Sequence, residues 1–230
     1  MDFGKLIAEV NDFVWGPIML AFLVGTGIFL TIRLKFLPWR NLPYAIKMIL
    51  SKKSDAQGDI SPFQSLMTAL SATVGTGNIV GVATAVKAGG PGALFWMWIA
   101  AFFGMATKYA EGVLAVKYRK VDDNGNISGG PMYYIEQGLG KKYKPLAVMF
   151  AIFGVMTASL GSGTFTQVNA ITSIVNVSFD VPVIYTAAVL TILVAVITIG
   201  GLQSIAKVAS KIVPFMAVVY VISAISVLVY

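Results

Sequence analysis

Six long stretches without a charged residue divide this sequence, and they constrain the fold more than any other feature. A helix that crosses a lipid bilayer needs roughly 20 consecutive apolar residues. Helices are expected because an open sheet edge would leave backbone groups without hydrogen bonds in hydrocarbon. We therefore expect an all-α integral membrane protein whose 230 residues form a single transmembrane domain. The predicted spans are about 13–34, 61–87, 92–117, 146–168, 181–202 and 211–230.

The fourth charge-free stretch, residues 145–179, is too long for one helix at about 1.5 Å per residue. We predict a helix over about 146–168. Residues 169–180, with their polar side chains, are expected to form a loop or an interfacial segment.

The composition supports a membrane protein and excludes several classes of function. Hydrophobic residues make up 57% of the chain and charged residues 12%, whereas about a quarter of a soluble protein is charged. The sequence contains no histidine and no cysteine, which excludes Ser-His and Cys-His nucleophile pairs, their metal sites and disulfides. A net charge of +7 with so few charged residues does not build a nucleic-acid-binding face. We expect a protein that is not an enzyme, has no cofactor and binds no nucleic acid.

Basic residues are distributed unequally between the two sides of the predicted spans. One side carries 14 lysines and arginines, whereas the other carries only Lys5 and Lys87, and Lys108 lies within a span. Because cytoplasmic loops are enriched in basic residues, we expect the N-terminus outside and the long loops in the cytoplasm, in a multi-pass protein of the cell membrane. The 14 residues are Arg33, Lys35, Arg40, Lys47, Lys52, Lys53, Lys117, Arg119, Lys120, Lys141, Lys142, Lys144, Lys207 and Lys211, the last two in a predicted short turn before the sixth span.

The second predicted span has a group of small and polar residues near its middle. Each glycine weakens a helix by about 1 kcal/mol relative to alanine, and an asparagine is unfavourable in hydrocarbon. A helix broken here is tolerated only where its backbone lines a cavity or is covered by protein. Freed carbonyls can then coordinate a small cation, and the N–H groups of the continuing helix can meet a carboxylate. The small and polar residues of this group are Ser71, Thr73, Gly75, Thr76, Gly77 and Asn78.

Two other interpretations of this stretch stay open. Gly77 and Gly81 form a small-xxx-small pattern, which often does no more than let helices pack closely. Residues 73–77, Thr-Val-Gly-Thr-Gly, resemble a potassium-channel filter, in which carbonyl oxygens replace the hydration shell of the ion. Such a filter is a short re-entrant loop, however, whereas this motif lies inside an apolar stretch that covers residues 60–86.

Two further polar features lie within predicted spans. Gln167 follows Thr164 by three residues and can share a helix face with it, where its amide either contacts a ligand or forms an interhelical hydrogen bond. Lys108 and Glu111 are spaced for an i,i+3 ion pair. We favour a paired structural role for them over a role of Glu111 in gating or proton coupling.

An aromatic-rich segment carries a family resemblance. Gly89-Gly-Pro-Gly-Ala-Leu-Phe-Trp-Met-Trp-Ile-Ala-Ala-Phe-Phe-Gly104 closely resembles the signature of the alanine or glycine:cation symporter family. Residues 72–79, 107–112 and 129–135 are also similar to that family. The resemblance implies a leucine-transporter-like fold of two inverted five-helix repeats, of which this chain would hold one extra N-terminal helix and the first repeat. Chains of the family are about twice as long, so the second repeat is missing and we expect the N-terminal part of a complete symporter.

The resemblance also implies a substrate site. In relatives of this fold the broken helix has the pattern small-x-x-Val-Gly-x-Gly-Asn, and the match here is Ser71-Ala-Thr-Val-Gly-Thr-Gly-Asn78. By position, Gly75, Thr76 and Gly77 would meet the substrate carboxylate through backbone N–H groups. Gln167 would line the same cavity.

A sodium site follows from the same resemblance. Thr73 and Asn78 would lie beside both the substrate and one cation, and Ser71 and Val74 would offer backbone carbonyls to a second cation position. The implied function is a sodium-coupled symporter that imports a small neutral amino acid, alanine or glycine, by alternating access. The absence of histidine favours sodium over a proton. The alternatives are a cation channel that uses the carbonyls of residues 73–77, and a structural half that transports nothing.

Overall fold

A computed structural model describes residues 3–51, 60–123, 127–160 and 162–230, without the side chains of Phe3, Ser162 and Gly163. Lys52 and Lys53 of the predicted basic loop, and position 161 of the fourth predicted span, lie outside the described residues. The structure is 86% helical, which confirms an all-α membrane protein.

The helices in chain order are α1 (Phe3–Val14), α2 (Pro17–Arg33), α3 (Leu37–Arg40), α4 (Leu42–Leu50), α5 (Pro62–Thr73), a π-helix (Gly77–Gly81), α6 (Val82–Gly89), α7 (Gly92–Lys117), α8 (Pro131–Leu139), a 3₁₀ turn (Lys141–Tyr143), α9 (Lys144–Ser159), α10 (Ser162–Phe179), α11 (Val183–Ile199) and α12 (Gly201–Val229). Two short antiparallel strands, β1 (Lys120–Val121) and β2 (Ile127–Ser128), precede α8.

Several of these segments are long and apolar enough to cross a membrane. In the described part of the chain, four qualify on length and composition: Gly4–Arg33, Gly92–Lys117, Lys141–Phe179 and Gly201–Val229. Pro62–Thr73 and Gly77–Gly89 qualify together as a fifth, and they are bent by 55° relative to each other. Val183–Ile199 is apolar but shorter, with 17 residues.

The chain divides into two compact units, of which the first comprises Met1–Tyr44 and Ala85–Ile152. In this unit α2 packs along α7. A Cβ added at Gly27 would lie 2.9 Å from the carbonyl oxygen of Phe103, so only glycine permits the approach of the two helices. The buried Thr31 satisfies its hydroxyl within α2 by donating to the carbonyl oxygen of Gly27 at 2.7 Å.

The second unit comprises Ala45–Thr84 and Phe153–Tyr230, and its main packing joins α5 to α12. Met67 of α5 is buried against Ala209 and Val213 of α12. Helix α5 begins with a capping box: Ser61 and Gln64 each accept a hydrogen bond from the other's backbone N–H. The first half of the polar second span thus has a defined start and an apolar face that is held by α12.

The loop predicted for residues 169–180 is wrong, because α10 continues to Phe179. Its end is set by hydrogen bonds rather than by polarity. The side-chain amide of Asn176 donates to the carbonyl oxygen of Val181 at 3.0 Å. The backbone N–H of Asp180 donates to the backbone carbonyl oxygen of Asn176 at 2.9 Å. Asp180 itself adopts a left-handed conformation, with φ of 56°, which ends the helix.

The short turn predicted around Lys207 and Lys211 is also wrong. Both lysines lie inside α12, which begins at Gly201, ten residues before the predicted start of the sixth span. The break between α11 and α12 lies at Gly200 and Gly201, where Gly201 has φ of +70°. Glycine adopts this conformation without the steric cost that other residues incur, so the charged residues do not mark the turn.

Candidate functional site

Helical structure is interrupted in the middle of the polar segment. Helix α5 ends at Thr73, and Val74 follows in an extended conformation with φ of −90° and ψ of 110°. Thr76 is already helical, and the π-helix and α6 continue from Gly77. The segment therefore presents the C-terminal end of one helix and the N-terminal end of another within about four residues, which is where backbone groups lack intrahelical partners.

Gly75 and Asn78 form a reciprocal pair of hydrogen bonds at the start of the second helix. The backbone N–H of Gly75 donates to Oδ1 of Asn78 at 2.9 Å, and the N–H of Asn78 donates to the carbonyl oxygen of Gly75 at 3.1 Å. An amide that reaches back to the N–H three residues earlier is half of a capping box. The sequence interpretation missed this bond, although the spacing Gly-x-x-Asn was its signal.

The N–H groups that the resemblance assigned to a carboxylate therefore differ in their availability. The N–H of Gly75 already has an acceptor, which is the side chain of Asn78. Thr76 and Gly77 follow in the first turn, where N–H groups point out of the helix end without intrahelical acceptors. Gly75 and Thr76 are half-buried, whereas Gly77 and Asn78 are exposed.

Oxygen atoms are concentrated on the other side of the interruption. The hydroxyl groups of Ser71 and Thr73 donate back to the carbonyl oxygens of Thr68 and Ala69 at 2.7 and 2.8 Å. Each hydroxyl oxygen keeps lone pairs after donating its proton. The carbonyls of Ser71 and Thr73 belong to the last turn of α5, which has no following N–H groups to bond them. In the described residues no three acidic side chains form a cluster, so a cation held here would meet neutral oxygens.

The structure brings Gln167 of α10 to the interruption, within the same compact unit. A Cβ added at Gly75 would lie 3.0 Å from Nε2 of Gln167, so the amide lies directly beside the glycine. The side chain of Gln167 is in an exposed position. Among the residues that the structure describes, its amide has no hydrogen-bond partner, so the predicted interhelical hydrogen bond is not formed there.

The two open alternatives for this stretch find little support in its geometry. No described atom lies within 4 Å of a Cβ added at Gly77 or Gly81, so neither glycine serves a close helix contact within this part of the chain. A channel filter would need successive carbonyls along an extended backbone. Thr73 ends α5 and Thr76 is helical, so an extended backbone is limited to Val74 and Gly75 at most.

Lys108 and Glu111 on α7 form the predicted ion pair, with Nζ and Oε2 2.8 Å apart. Their side chains are 81% and 40% exposed, so the pair is not buried among the described residues. Tyr134 of α8 lies near the pair. Partial burial raises the pKa of its phenol above the usual value, Glu111 raises it further, and Lys108 opposes the change.

Comparison with known proteins gives consistent similarities. The model of the sodium:alanine symporter family matches residues 2–230. Sodium/alanine symporter AgcS of Methanococcus maripaludis is 55% identical over 232 residues, which cover 99% of this chain and 51% of that protein. An uncharacterized transporter of Haemophilus influenzae is 55% identical over 96% of this chain and 48% of its own length. Amino-acid carrier protein AlsT of Bacillus subtilis is 40% identical over 99% of this chain and 48% of its own length. The chain spans about half the length of these curated relatives.

Proposed function

Because the chain belongs to the sodium:alanine symporter family, we propose that it supplies one half of a sodium-coupled symporter that imports alanine or glycine by alternating access. The family consists of transporters, which confirms that the chain is not an enzyme. The proposal includes a leucine-transporter-like arrangement of six spans, with the N-terminus outside the cell. The observation that carries it is the interruption between α5 and the π-helix, with Gln167 beside Gly75.

Sodium would bind at the C-terminal end of α5. The ligands would be the oxygens of Ser71, Thr73 and Val74 together with Oδ1 of Asn78. Unwound carbonyls and the C-terminal ends of half-helices hold sodium in transporters of related design. The partial negative charge of a helix C-terminus favours a cation at this point without an acidic side chain.

The amino acid would bind at the N-terminal end of the following helix. Its carboxylate would accept hydrogen bonds from the N–H groups of Gly75, Thr76 and Gly77, where the helix dipole is positive. Gln167 would bond the same ligand from the wall of the cavity. A glycine at position 75 and the absence of basic side chains nearby favour a small neutral substrate.

The Gly75–Asn78 hydrogen bond gives a physical reason for sodium to bind first. Oδ1 of Asn78 has two lone pairs, and a sodium ion bound to it would draw electron density away from its hydrogen bond with the N–H of Gly75. The amide accepts from that N–H at 2.9 Å, so it competes with a carboxylate for the same donor. Sodium that takes Oδ1 as a ligand releases the N–H for the substrate. Sodium and amino acid therefore bind cooperatively, and each increases the affinity of the other.

Isotope labelling tests this exchange directly. Labelling valine with ¹³C at the carbonyl and glycine with ¹⁵N selects the Val-Gly peptide bonds, which are 24–25, 74–75 and 80–81. Sodium chloride, but not potassium chloride, should move the Gly75 amide proton upfield, and alanine should then move it downfield. Gly25 is the internal reference, and Gly25→Ala and Gly81→Ala assign the signals. Sodium binding without a shift at Gly75 would refute the exchange and leave the transport proposal standing.

Transport itself is tested by uptake of labelled alanine into proteoliposomes. The 230-residue chain and any longer polypeptide encoded with it, called here the complete polypeptide, are reconstituted separately. The vesicles carry an inward sodium gradient or potassium in its place. One net charge moved across 100 mV supplies about 2.3 kcal/mol, enough for a gradient of roughly 45-fold. We expect uptake that stops without sodium. Sodium-independent uptake would refute the coupling, unitary currents without alanine would identify a channel, and a complete polypeptide without binding or uptake would identify a structural protein.

A further inference from the structure

The turn that joins α2 to α3, residues 33–40, has a rigid and unusual backbone; we call it the α2–α3 corner. The N–H of Lys35 donates to the carbonyl oxygen of Ile32, and that of Phe36 donates to Thr31, both at 3.0 Å. These two bonds form a Schellman motif. Lys35 and Phe36 both adopt left-handed conformations, with φ of 51° and 57°. Side chains other than glycine rarely do so, and the bonded backbone holds them there.

Aromatic contacts fix the corner onto α7 within the first unit. The rings of Trp39 and Phe102 are stacked, with centroids 4.6 Å apart and planes 23° from parallel. Phe36 contacts the same ring at a centroid distance of 6.5 Å. Since Phe102 belongs to a helix that packs closely on α2, the corner has a fixed place at the end of α2.

Three cationic side chains surround this corner, and none is neutralised by the protein. Arg33, Lys35 and Arg40 are exposed, and in the described part of the chain no carboxylate lies within ion-pair distance of any of them. The sequence has no acidic residue at all between Asp12 and Asp55. Lys108 and Lys144 differ from these three residues, since they have Glu111 and Glu136 as partners.

The position of the corner points to the chemistry of its partner. Arg33 ends a helical segment, Gly4–Arg33, that is long and apolar enough to cross the membrane, so the corner lies at the depth of the lipid headgroups. Tryptophan residues are enriched at that depth, and Trp39 would lie there. Arginine binds phosphate oxygens through two parallel hydrogen bonds. We propose that the α2–α3 corner binds the headgroup phosphate of an anionic phospholipid, held by Arg33, Lys35 and Arg40. The proposal does not depend on which solute the protein transports.

Lipid retention by the purified full chain tests the proposal. The protein is prepared in neutral detergent with phosphatidylglycerol or phosphatidylcholine, and bound lipids are counted by native mass spectrometry across a lipid titration. Each basic residue near an anionic surface contributes about fivefold to binding. The variant Arg33→Gln, Lys35→Gln, Arg40→Gln should therefore bind phosphatidylglycerol roughly 100-fold more weakly. Its affinity for phosphatidylcholine should not change.

A matched control removes the same charge elsewhere. Lys141→Gln, Lys142→Gln, Lys144→Gln alters three lysines near the start of α9 and should change phosphatidylglycerol binding by less than about fivefold. The charge-conserving variant Arg33→Lys, Arg40→Lys should bind phosphatidylglycerol more tightly than the triple glutamine variant but less tightly than the wild type, because lysine keeps the charge and loses the paired hydrogen bonds. Circular dichroism should show unchanged helicity for every variant. Equal losses in the two triple variants would overturn the proposal by indicating unspecific attraction. If the mass spectra showed that the corner triple variant loses a dimer and keeps its phosphatidylglycerol, the proposal would be overturned. The corner would then be a contact between two copies of the chain.

Discussion

Two neighbouring apolar segments of this chain respond differently to glycine. Helix α7 contains Gly104 and Gly112 and runs without interruption for 26 residues. The preceding segment contains Gly75 and Gly77 and is interrupted after Thr73. Both segments are apolar, and each helix-weakening glycine costs about the same. With three glycines in α7 and four in Pro62–Gly89, glycine content alone does not explain why only the second of these segments is interrupted.

The difference lies in what else the backbone can bond. At the interruption the side chain of Asn78 accepts from the N–H of Gly75, and so replaces a helical carbonyl. Asparagine side chains compete with helical hydrogen bonds in this way. In α7 the polar side chains bond each other instead, as Lys108 and Glu111 do at 2.8 Å, which supports the helix. Glycine permits the interruption, and the amide stabilises it.

Among the substitutions that test this comparison, Asn78→Ala should have the largest effect, which is measured as alanine uptake. We expect sodium-dependent alanine uptake by the complete polypeptide to fall at least about 100-fold, because both the sodium ligand and the cap on Gly75 are lost. Loss of a helix cap costs only about 1 kcal/mol, so the protein should stay folded. Asn169→Ala on α10 is the matched loss of an amide and should leave uptake unchanged. Uptake by Asn78→Ala at the wild-type level would remove Asn78 from the site.

Gly75→Ala should have a smaller effect on the same site. Its Cβ would lie 3.0 Å from Nε2 of Gln167, so the flexible amide must move away from the substrate position. We expect an apparent alanine affinity about tenfold weaker, which corresponds to one hydrogen bond. Gly81→Ala meets no described atom within 4 Å and should transport normally. In a Gln167→Ala background, Gly75→Ala should have no further effect on affinity; an additive loss would show that the two residues act separately.

Gly27→Ala tests the uninterrupted segment, α7, through its packing against α2. The new Cβ would lie 2.9 Å from the backbone oxygen of Phe103, which cannot rotate away. We expect the free energy of unfolding to fall by about 1–3 kcal/mol, measured by thermal or denaturant unfolding in detergent. Gly25→Ala on the same helix meets nothing within 4 Å and should be neutral or slightly stabilising. Equal stability of the two variants would contradict the close approach of α2 and α7.

The smallest expected effect concerns Tyr134, on α8 outside the spanning helices. Its pKa is raised in the folded protein by burial and by Glu111. A raised pKa stabilises the fold below the usual tyrosine pKa of about 10, and this stabilisation is lost as the pH rises through the folded value. Subtracting the ultraviolet titration of Tyr134→Phe from that of the wild type isolates this phenol. Glu111→Gln should move its pKa back toward the usual value, and an unchanged pKa would contradict the proximity of the two groups.

The sequence was informative where an unusual combination of residue types marks a segment. It identified residues 71–78 because hydroxyls, glycines and an amide are rare together in an apolar segment. It failed at residues 169–180, where polar side chains suggested a loop but Asn176 and Asp180 set the helix end through specific hydrogen bonds. It also placed a turn at Lys207 and Lys211, although only a glycine adopts the left-handed backbone of Gly201 without strain.

The contact between Gly75 and Gln167 illustrates a second limit. The sequence indicated that both residues belong to one site, but this came from the family resemblance and not from their spacing. Their proximity, in which a Cβ added at Gly75 would lie 3.0 Å from Nε2 of Gln167, depends on how α10 packs in the second unit, which no local pattern encodes. The reciprocal bond of Gly75 and Asn78 is local, by contrast, and could have been derived from the capping-box spacing.

The shortness of α5 and α6 has a consequence for the biosynthesis of the protein. With 12 and 8 residues, the two helices are about 18 and 12 Å long, and neither alone crosses a hydrocarbon layer of about 30 Å. The translocon must therefore insert Pro62–Gly89 as one segment. The partner that holds α5, at Ala209 and Val213, is synthesised about 140 residues after Met67. At about 5–20 residues per second, that is a delay of roughly 10 s. The candidate site would thus mature only after Pro62–Gly89 has entered the membrane.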